Sequence, residues 1–301
     1  MLLPHPPHTL CSYLSALTDD TLAVTDTYGK STCFLTMTCN PMWKEIQEAL
    51  LPGQSWTDRP DIVCRVFKLK QQEMIRDLHK GTFFKTKEGL PWKCKYVIAV
   101  VEFQKRGLPH AHILFRLAGD EEDMPKRGID VDNIISGQMP TASSEHGDGC
   151  DCDDHRGRRL VQEYMMHVCS TKTCLPKEGP RVCRRRFPKD TNVEETFIDD
   201  SSYPAYRRVH PDDSNVVPYN IGALLKYECH INIELVSTAW VIKYIVSAAY
   251  ARSPPRALLP HPHIPRTRLP PPPFFSTSTF TRGRTRSAST WPKCARSSAG
   301  T

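Results

Sequence analysis

Residues 98–115 read IAVVEFQKRGLPHAHILF, a stretch with two apolar runs and a short polar link between them. The runs are Val97–Phe103 and Ala111–Phe115, and the link, 105–109, contains both glycine and proline. Glycine and proline between two runs rich in β-branched residues are typical of a turn that joins paired strands. The stretch therefore predicts an antiparallel β-hairpin.

Two histidines flank Ala111 in the second predicted strand. Because side chains alternate between the faces of a strand, His110 and His112 point to one face and Ala111 to the other. A hairpin closed with Gln104 opposite His110 would put Glu102 opposite His112 on the same face. Unpaired polar groups on a buried face are costly, so two interpretations stay open: a metal site, or a partly exposed hairpin with two ordinary histidines.

Length and composition exclude several classes of protein. The chain has 301 residues, 39% of them hydrophobic, which is enough for a real core. The sequence contains no run of about 18 apolar residues, so no membrane span is predicted. The N-terminus does not resemble a secretory signal. The 12 cysteines are therefore expected to be reduced thiols or metal ligands instead of disulfides.

The net charge of +7 is concentrated at the C-terminus. Residues 251–301 contain eight Arg, one Lys and no acidic residue, which leaves 31 basic and 33 acidic residues over 1–250. Any case for nucleic-acid binding in the globular part must therefore rest on local patches. The same tail has 10 prolines and no periodicity, so we expect it to be disordered and foreign to the domain before it.

Periodicity elsewhere predicts an α+β fold, an antiparallel sheet flanked by helices. Asp58 or Asp61 is the expected N-cap of the longest helix, and Gly81 its expected end. Residues 119–159 read as a long connection that touches the body at Ile129–Ile135. The predicted elements are strands at 31–38 and 229–234 and helices at 43–50, 61–80, 221–226 and 235–250. On the last of these strands His230 and Asn232 share a face and are interpreted as structural groups.

A Cys/His-rich insert spans about 150–190. Within it, Met166–Phe187 carries four residues that suit a structural zinc (Zn²⁺) site, namely His167, Cys169, Cys174 and Cys183. The alternative is a loop with free thiols. Five basic side chains follow or interleave with these residues and could hold DNA phosphates, namely Arg181, Arg184, Arg185, Arg186 and Lys189.

Several segments together resemble the Rep domain of Helitron transposases, also called the Helitron helicase-like domain. They are FLTMTCNPMW (34–43), DRPDIVCRVFKLK (58–70), VVEFQKRGLPHAHILF (100–115), VVPYNIGALLKYECHINIE (216–234) and VIKY (241–244). The resemblance covers about residues 31–250. It implies three parts: a lead-in at 1–30, the Rep domain at 31–250 and the tail at 251–301.

The resemblance implies a function in the HUH endonuclease superfamily, in which two histidines around a hydrophobic residue bind a divalent metal. His110 and His112 would hold Mg²⁺ or Mn²⁺ with a third ligand from Glu102 or Gln104, of which we favour Glu102. Tyr244, with Lys243 beside it, takes the position of the catalytic tyrosine. The implied reaction is the nicking of single-stranded DNA through a phosphotyrosine, as in rolling-circle transposition, and the implied location is the nucleus.

The chain departs from that family at its second tyrosine. The family's second tyrosine lies one helical turn after the first, but the corresponding residue here is Ala248. Tyr250 lies about 240° around a helix from Tyr244 and is a poor substitute. No GxxxxGK[ST] motif is present, so we expect neither nucleotide binding nor unwinding in this chain.

These departures leave three functions open. The first is a truncated, metal-dependent nickase that cuts once but does not coordinate the transfer of two strands. The second is a catalytically dead remnant that only binds single-stranded DNA. The third is a zinc-binding interaction module in which the hairpin histidines are structural.

Overall fold

The computed structural model describes residues 21–104, 107–125, 128–141, 150, 152–171, 174–176, 178–179, 182–199 and 203–236. The six strands are β1 (Cys33–Thr38), β2 (Cys94–Phe103), β3 (Pro109–Leu117), β4 (Phe197–Ile198), β5 (Pro204–Ala205) and β6 (Ile231–Leu235). The helices in these residues are α1 (21–28), α2 (Lys44–Gln47), α3 (Pro60–Lys80), α4 (Ile129–Asp132), α5 (Asp153–Tyr164) and α6 (Ile221–Tyr227). Short 3₁₀ turns lie at Trp56–Asp58 and Pro211–Asn215.

Four of the strands form one sheet in the order β2-β3-β1-β6, and every pair in it is antiparallel. Helices accompany this sheet, so the predicted α+β class is confirmed. The second sheet is the small β4-β5 pair. β1 lies between the hairpin β2-β3 and the late strand β6, and it therefore holds the two halves of the described chain together.

One face of the sheet carries the main hydrophobic core. The odd-numbered residues of β3, such as Ala111 and Ile113, are fully buried in it. Phe67, Met74 and Leu78 of α3 pack into the same cluster at the helical spacing that the sequence showed. α3 therefore covers this face, and the even-numbered residues of the hairpin occupy the other.

The two ends of α3 differ in how well the sequence predicted them. Gly81 ends the helix in the left-handed conformation with φ 71°, as expected. The predicted N-caps are wrong: Arg59 is the N-cap residue and makes no side-chain cap bond. Asp58 instead forms a capping box with Ser55, and this capping box stabilises the 3₁₀ turn that directly precedes α3.

The helix α5 lies partly where the sequence predicted only a connection. Its sequence, DDHRGRRLVQEY, contains four charged residues, one histidine and a glycine in its first half, which hides the apolar face. The helix packs on α6, and a methyl group added at Gly157 would meet Ile221 Cδ1 at 2.8 Å. Leu160 and Val161 join a second hydrophobic cluster there, with Tyr219 and Leu224. Tertiary packing therefore stabilises a helix that local propensity does not favour.

The predicted helix at 235–250 does not begin at Leu235, because that residue ends β6. The remainder of this prediction, from 237 onward, lies outside the described residues. Ile129–Ile135 does touch the body, as predicted, through buried Val131, Ile134 and Ile135. Within the described ranges, no helix is both long and apolar enough to cross a membrane.

Candidate metal centre

The hairpin forms as predicted, but its register differs by two residues. Glu102 pairs with His110 and Val100 with His112, whereas the sequence placed Gln104 opposite His110. Gln104 instead closes the loop, where its backbone N–H donates to Leu108 O at 2.9 Å. A slip of two residues preserves the face of every side chain, so the shared face survives the error.

Both histidines lie on the sheet face opposite the main core. His110 is 8% exposed and His112 is 2% exposed, while Ala111 between them packs into the core on the other face. The alternation predicted from the sequence is therefore confirmed, and the two histidines are buried although part of β2 is exposed.

Glu102, His110 and His112 form a compact group of possible metal ligands. One ligand atom from each lies within 4.8 Å of the others, and the two imidazole centroids are 4.6 Å apart. His112 Nε2 lies 3.5 Å from Glu102 Oε1. Two imidazole nitrogens and one carboxylate form a set that suits divalent metals, and a carboxylate is a better ligand than an amide for a hard cation such as Mg²⁺.

Gln104 occupies a different position from Glu102. Its Nε2 lies 3.4 Å from His110 Nδ1, so it contacts the imidazole from the side. Of the two candidates for the third ligand, Glu102 is the one that the geometry groups with both histidines.

Two neighbours on β1 orient the imidazoles. Thr38 Oγ1 lies 2.7 Å from His110 Nδ1, which leaves Nε2 as the ring nitrogen available to a metal. The Phe34 ring stacks on His112 at 5.6 Å with an interplanar angle of 10°. No local sequence pattern marks Thr38, because its contact with His110 joins residues 72 positions apart.

The protonation of His112 is also set by its surroundings. Burial lowers the pKa of its imidazole, and the Glu102 carboxylate acts in the opposite direction. The lowered pKa favours the neutral imidazole, which is the form that binds a metal.

The ladder of polar residues continues across the sheet onto β6. His112 pairs with Thr36, and Thr36 pairs with Asn232. Thr38 N donates to the carbonyl oxygen of His230 at 3.0 Å. His230 and Asn232, which the sequence suggested are structural groups, therefore lie in line with His110 and His112, on the far side of β1.

The four residues proposed for zinc also converge. His167 Nε2 lies 3.3 Å from Cys169 Sγ and 3.4 Å from both Cys174 Sγ and Cys183 Sγ. A tetrahedral zinc with ordinary Zn–N and Zn–S bonds would give edges of about 3.5 Å between nitrogen and sulfur. The Phe187 ring stacks on the imidazole at 4.1 Å, and burial, Arg185 and Lys189 lower the pKa of His167. The donor set and its spacing fit a closed structural zinc site.

The predicted basic patch follows this cluster directly. Arg184, Arg185 and Arg186 are exposed, and the last lies 3.8 Å from Asp199 and over the Tyr203 ring. Lys189 is partly buried, with its Nζ over the Phe187 ring. Arg181, and the predicted catalytic residues Lys243 and Tyr244, lie outside the described residues.

Part of the chain matches a known protein family. Residues 11–115 match the model of the Helitron helicase-like domain at N-terminus. A search of curated proteins finds no match to the chain. The matched residues, 11–115, include β1, α3 and both histidines of the metal-ligand group, and this part of the chain is therefore similar to the Helitron helicase-like N-terminal domain.

Proposed function

We propose that this chain is a metal-dependent nickase of single-stranded DNA related to Helitron transposases. The observation that carries the proposal is the Glu102, His110 and His112 group, built on the hairpin inside the matched family region. Two imidazoles and one carboxylate can hold a divalent cation and leave coordination positions open for a phosphodiester oxygen.

Mg²⁺ or Mn²⁺ held by these three residues would polarise the scissile phosphate and stabilise charge on the leaving oxygen. Thr38 holds the His110 ring in place, and Phe34 holds that of His112. In the proposed reaction the phenol oxygen of Tyr244 attacks phosphorus and loses its proton. The bond from phosphorus to the 3′ oxygen breaks, and that oxygen leaves as a 3′-OH after protonation. The product is a 5′-phosphotyrosine, which conserves the phosphodiester energy for rejoining.

The Cys/His group has a supporting role in this proposal. Zinc bound by His167 and its three cysteines would fix the loop that presents Arg184, Arg185 and Arg186 to solvent. Fixed guanidinium groups bind phosphates at a lower entropic cost than mobile ones. DNA as substrate makes the nucleus the expected location in a eukaryotic cell.

The test is incubation of the full chain with single-stranded oligonucleotides and Mn²⁺, followed by denaturing electrophoresis. We expect a covalent protein–DNA adduct that is lost in Tyr244→Phe and in His112→Ala. The matched controls are Tyr250→Phe and His79→Ala, which remove a phenol and an imidazole elsewhere and should keep the adduct. No adduct with any divalent metal would refute the nickase.

The two rival functions give different results in the same assay. A DNA-binding remnant would show salt-sensitive binding that His110→Ala leaves unchanged, with no adduct. A zinc interaction module would show neither binding nor adduct and would still lose zinc in Cys174→Ser.

A further inference from the structure

A second group of metal-ligating side chains lies at the start of α5, and no step of the proposed nickase uses it. One ligand atom each from Cys150, Cys152 and His155 lies within 4.8 Å of the others. Cys152 Sγ is 3.1 Å from His155 Nδ1, and Cys152 N donates to Cys150 Sγ at 3.3 Å. The group shares no residue with the one around His167.

The start of α5 brings the three side chains together. Cys152 is the N-cap of α5, in extended conformation, so the positive end of the helix dipole faces the two thiols. His155 is 8% exposed and lies one turn into the helix, on the side of Cys152. Arg159 Nη1 donates to Cys150 O at 3.1 Å and ties the first cysteine to the helix.

An ordinary helix start would explain a single thiol–imidazole contact, because Cys152 and His155 are three positions apart. A helix start does not explain the position of the Cys150 thiol, because Cys150 lies outside the helix and still reaches the same point. Two thiols and an imidazole are soft and borderline ligands, which select zinc over Mg²⁺ or Mn²⁺.

We propose that Cys150, Cys152 and His155 bind a second zinc ion, separate from the one at His167. The three residues supply three positions of a tetrahedron, and a further donor completes it. The two zinc sites then bracket α5, one at its first residue and one shortly after its last. Between them α5 contributes Leu160 and Val161 to the second hydrophobic cluster. A helix with weak propensity is thereby held at both ends.

The proposal is tested by the zinc content of the reduced full chain, measured by mass spectrometry after passage over a chelating resin. All counts are taken in a His110→Ala/His112→Ala background, so that the sheet site does not contribute. We expect two zinc ions per chain, one in Cys152→Ser or His155→Gln, one in Cys174→Ser and none in Cys152→Ser/Cys174→Ser. Cys64→Ser, at a partly buried cysteine of α3, is the matched control and should keep two.

A cobalt titration is run first on the chain without cysteine substitutions, so that the number of thiolate sites is counted where no variant can misfold. Absorption from cobalt–thiolate bonds should saturate at two equivalents. The same titration is then run on the variants. A single equivalent that Cys152→Ser leaves intact would overturn the proposal, as would two zinc ions retained in that variant. A single equivalent that Cys152→Ser removes and Cys174→Ser keeps would support this site and refute the one at His167.

Discussion

At the scale of single residues, the candidate metal ligands could be identified from the sequence more easily than the residues that contact them. Period-two alternation was enough to put His110 and His112 on one face, because the rule is local. Thr38 could not be found, since its contact with His110 depends on which strand pairs with β3. Positioning groups around a metal ligand are set by strand order, which no local pattern encodes.

Thr38→Val tests whether this hydroxyl positions His110. The variant keeps the side-chain volume and loses the bond to Nδ1, so the imidazole is free to rotate or change tautomer. We expect Mn²⁺ affinity to fall by about 10- to 100-fold, the usual effect of removing such a partner. Calorimetric titration measures it, and Thr38→Ser, which retains the hydroxyl, should bind nearly as the unmodified chain does. Equal affinity for Thr38→Val would show that the bond does not position the ring.

At the scale of elements, the sequence pattern predicted β1, α3 and the hairpin, but α5 was missed because it is short and rich in charged residues. The hairpin register was wrong because it depends on how many residues the loop leaves unpaired, which composition does not fix. The apolar stripe of α5 is short, and Gly157, which packs beside the Ile221 side chain, lowers its helix propensity. Both failures arise where tertiary contacts decide the local structure.

Gly81→Ala tests how tightly α3 is joined to the strand that follows. Gly81 has φ 71°, and an added methyl group would lie 2.7 Å from backbone atoms of Trp92. We expect the free energy of unfolding to fall by about 1–3 kcal/mol, measured by urea denaturation. Gly89→Ala is the control, since it has φ 79° with nothing within 4 Å and should report the cost of the dihedral alone. Equal losses in the two variants would show that the close approach to Trp92 contributes nothing.

At the scale of the whole molecule, the two larger hydrophobic clusters of the described residues are supported in different ways. The sheet and α3 bury a large core, whereas the cluster around α5 is small and lies beside both Cys/His groups. A small hydrophobic core contributes little stability to the charged segment around α5, and bound metal commonly stabilises such small domains. The cysteine count pointed to metal ligands, but sequence alone could not show how the cysteines divide into groups.

Removal of zinc should therefore loosen one part of the molecule and spare the other. After treatment with a strong zinc chelator, we expect faster amide hydrogen exchange in peptides from 152–171 and 182–199. Peptides from β1 and β3 should exchange at an unchanged rate, and added zinc should restore the slow exchange. Faster exchange spread evenly over both parts, or none at all, would contradict a local role for zinc.

The direction of β6 has a geometric consequence for Tyr244, the proposed nucleophile. Asn232 is level with His112 through Thr36, but Leu235 lies three residues further along, opposite Cys33. The chain thus leaves the sheet about 10 Å beyond the histidine row. Under the proposed function, the residues between Val236 and Tyr244 would have to bring the phenol oxygen back across this distance to the metal ligands. We therefore expect the number of residues in this segment, and not only the phenol itself, to determine whether the nicking reaction proceeds.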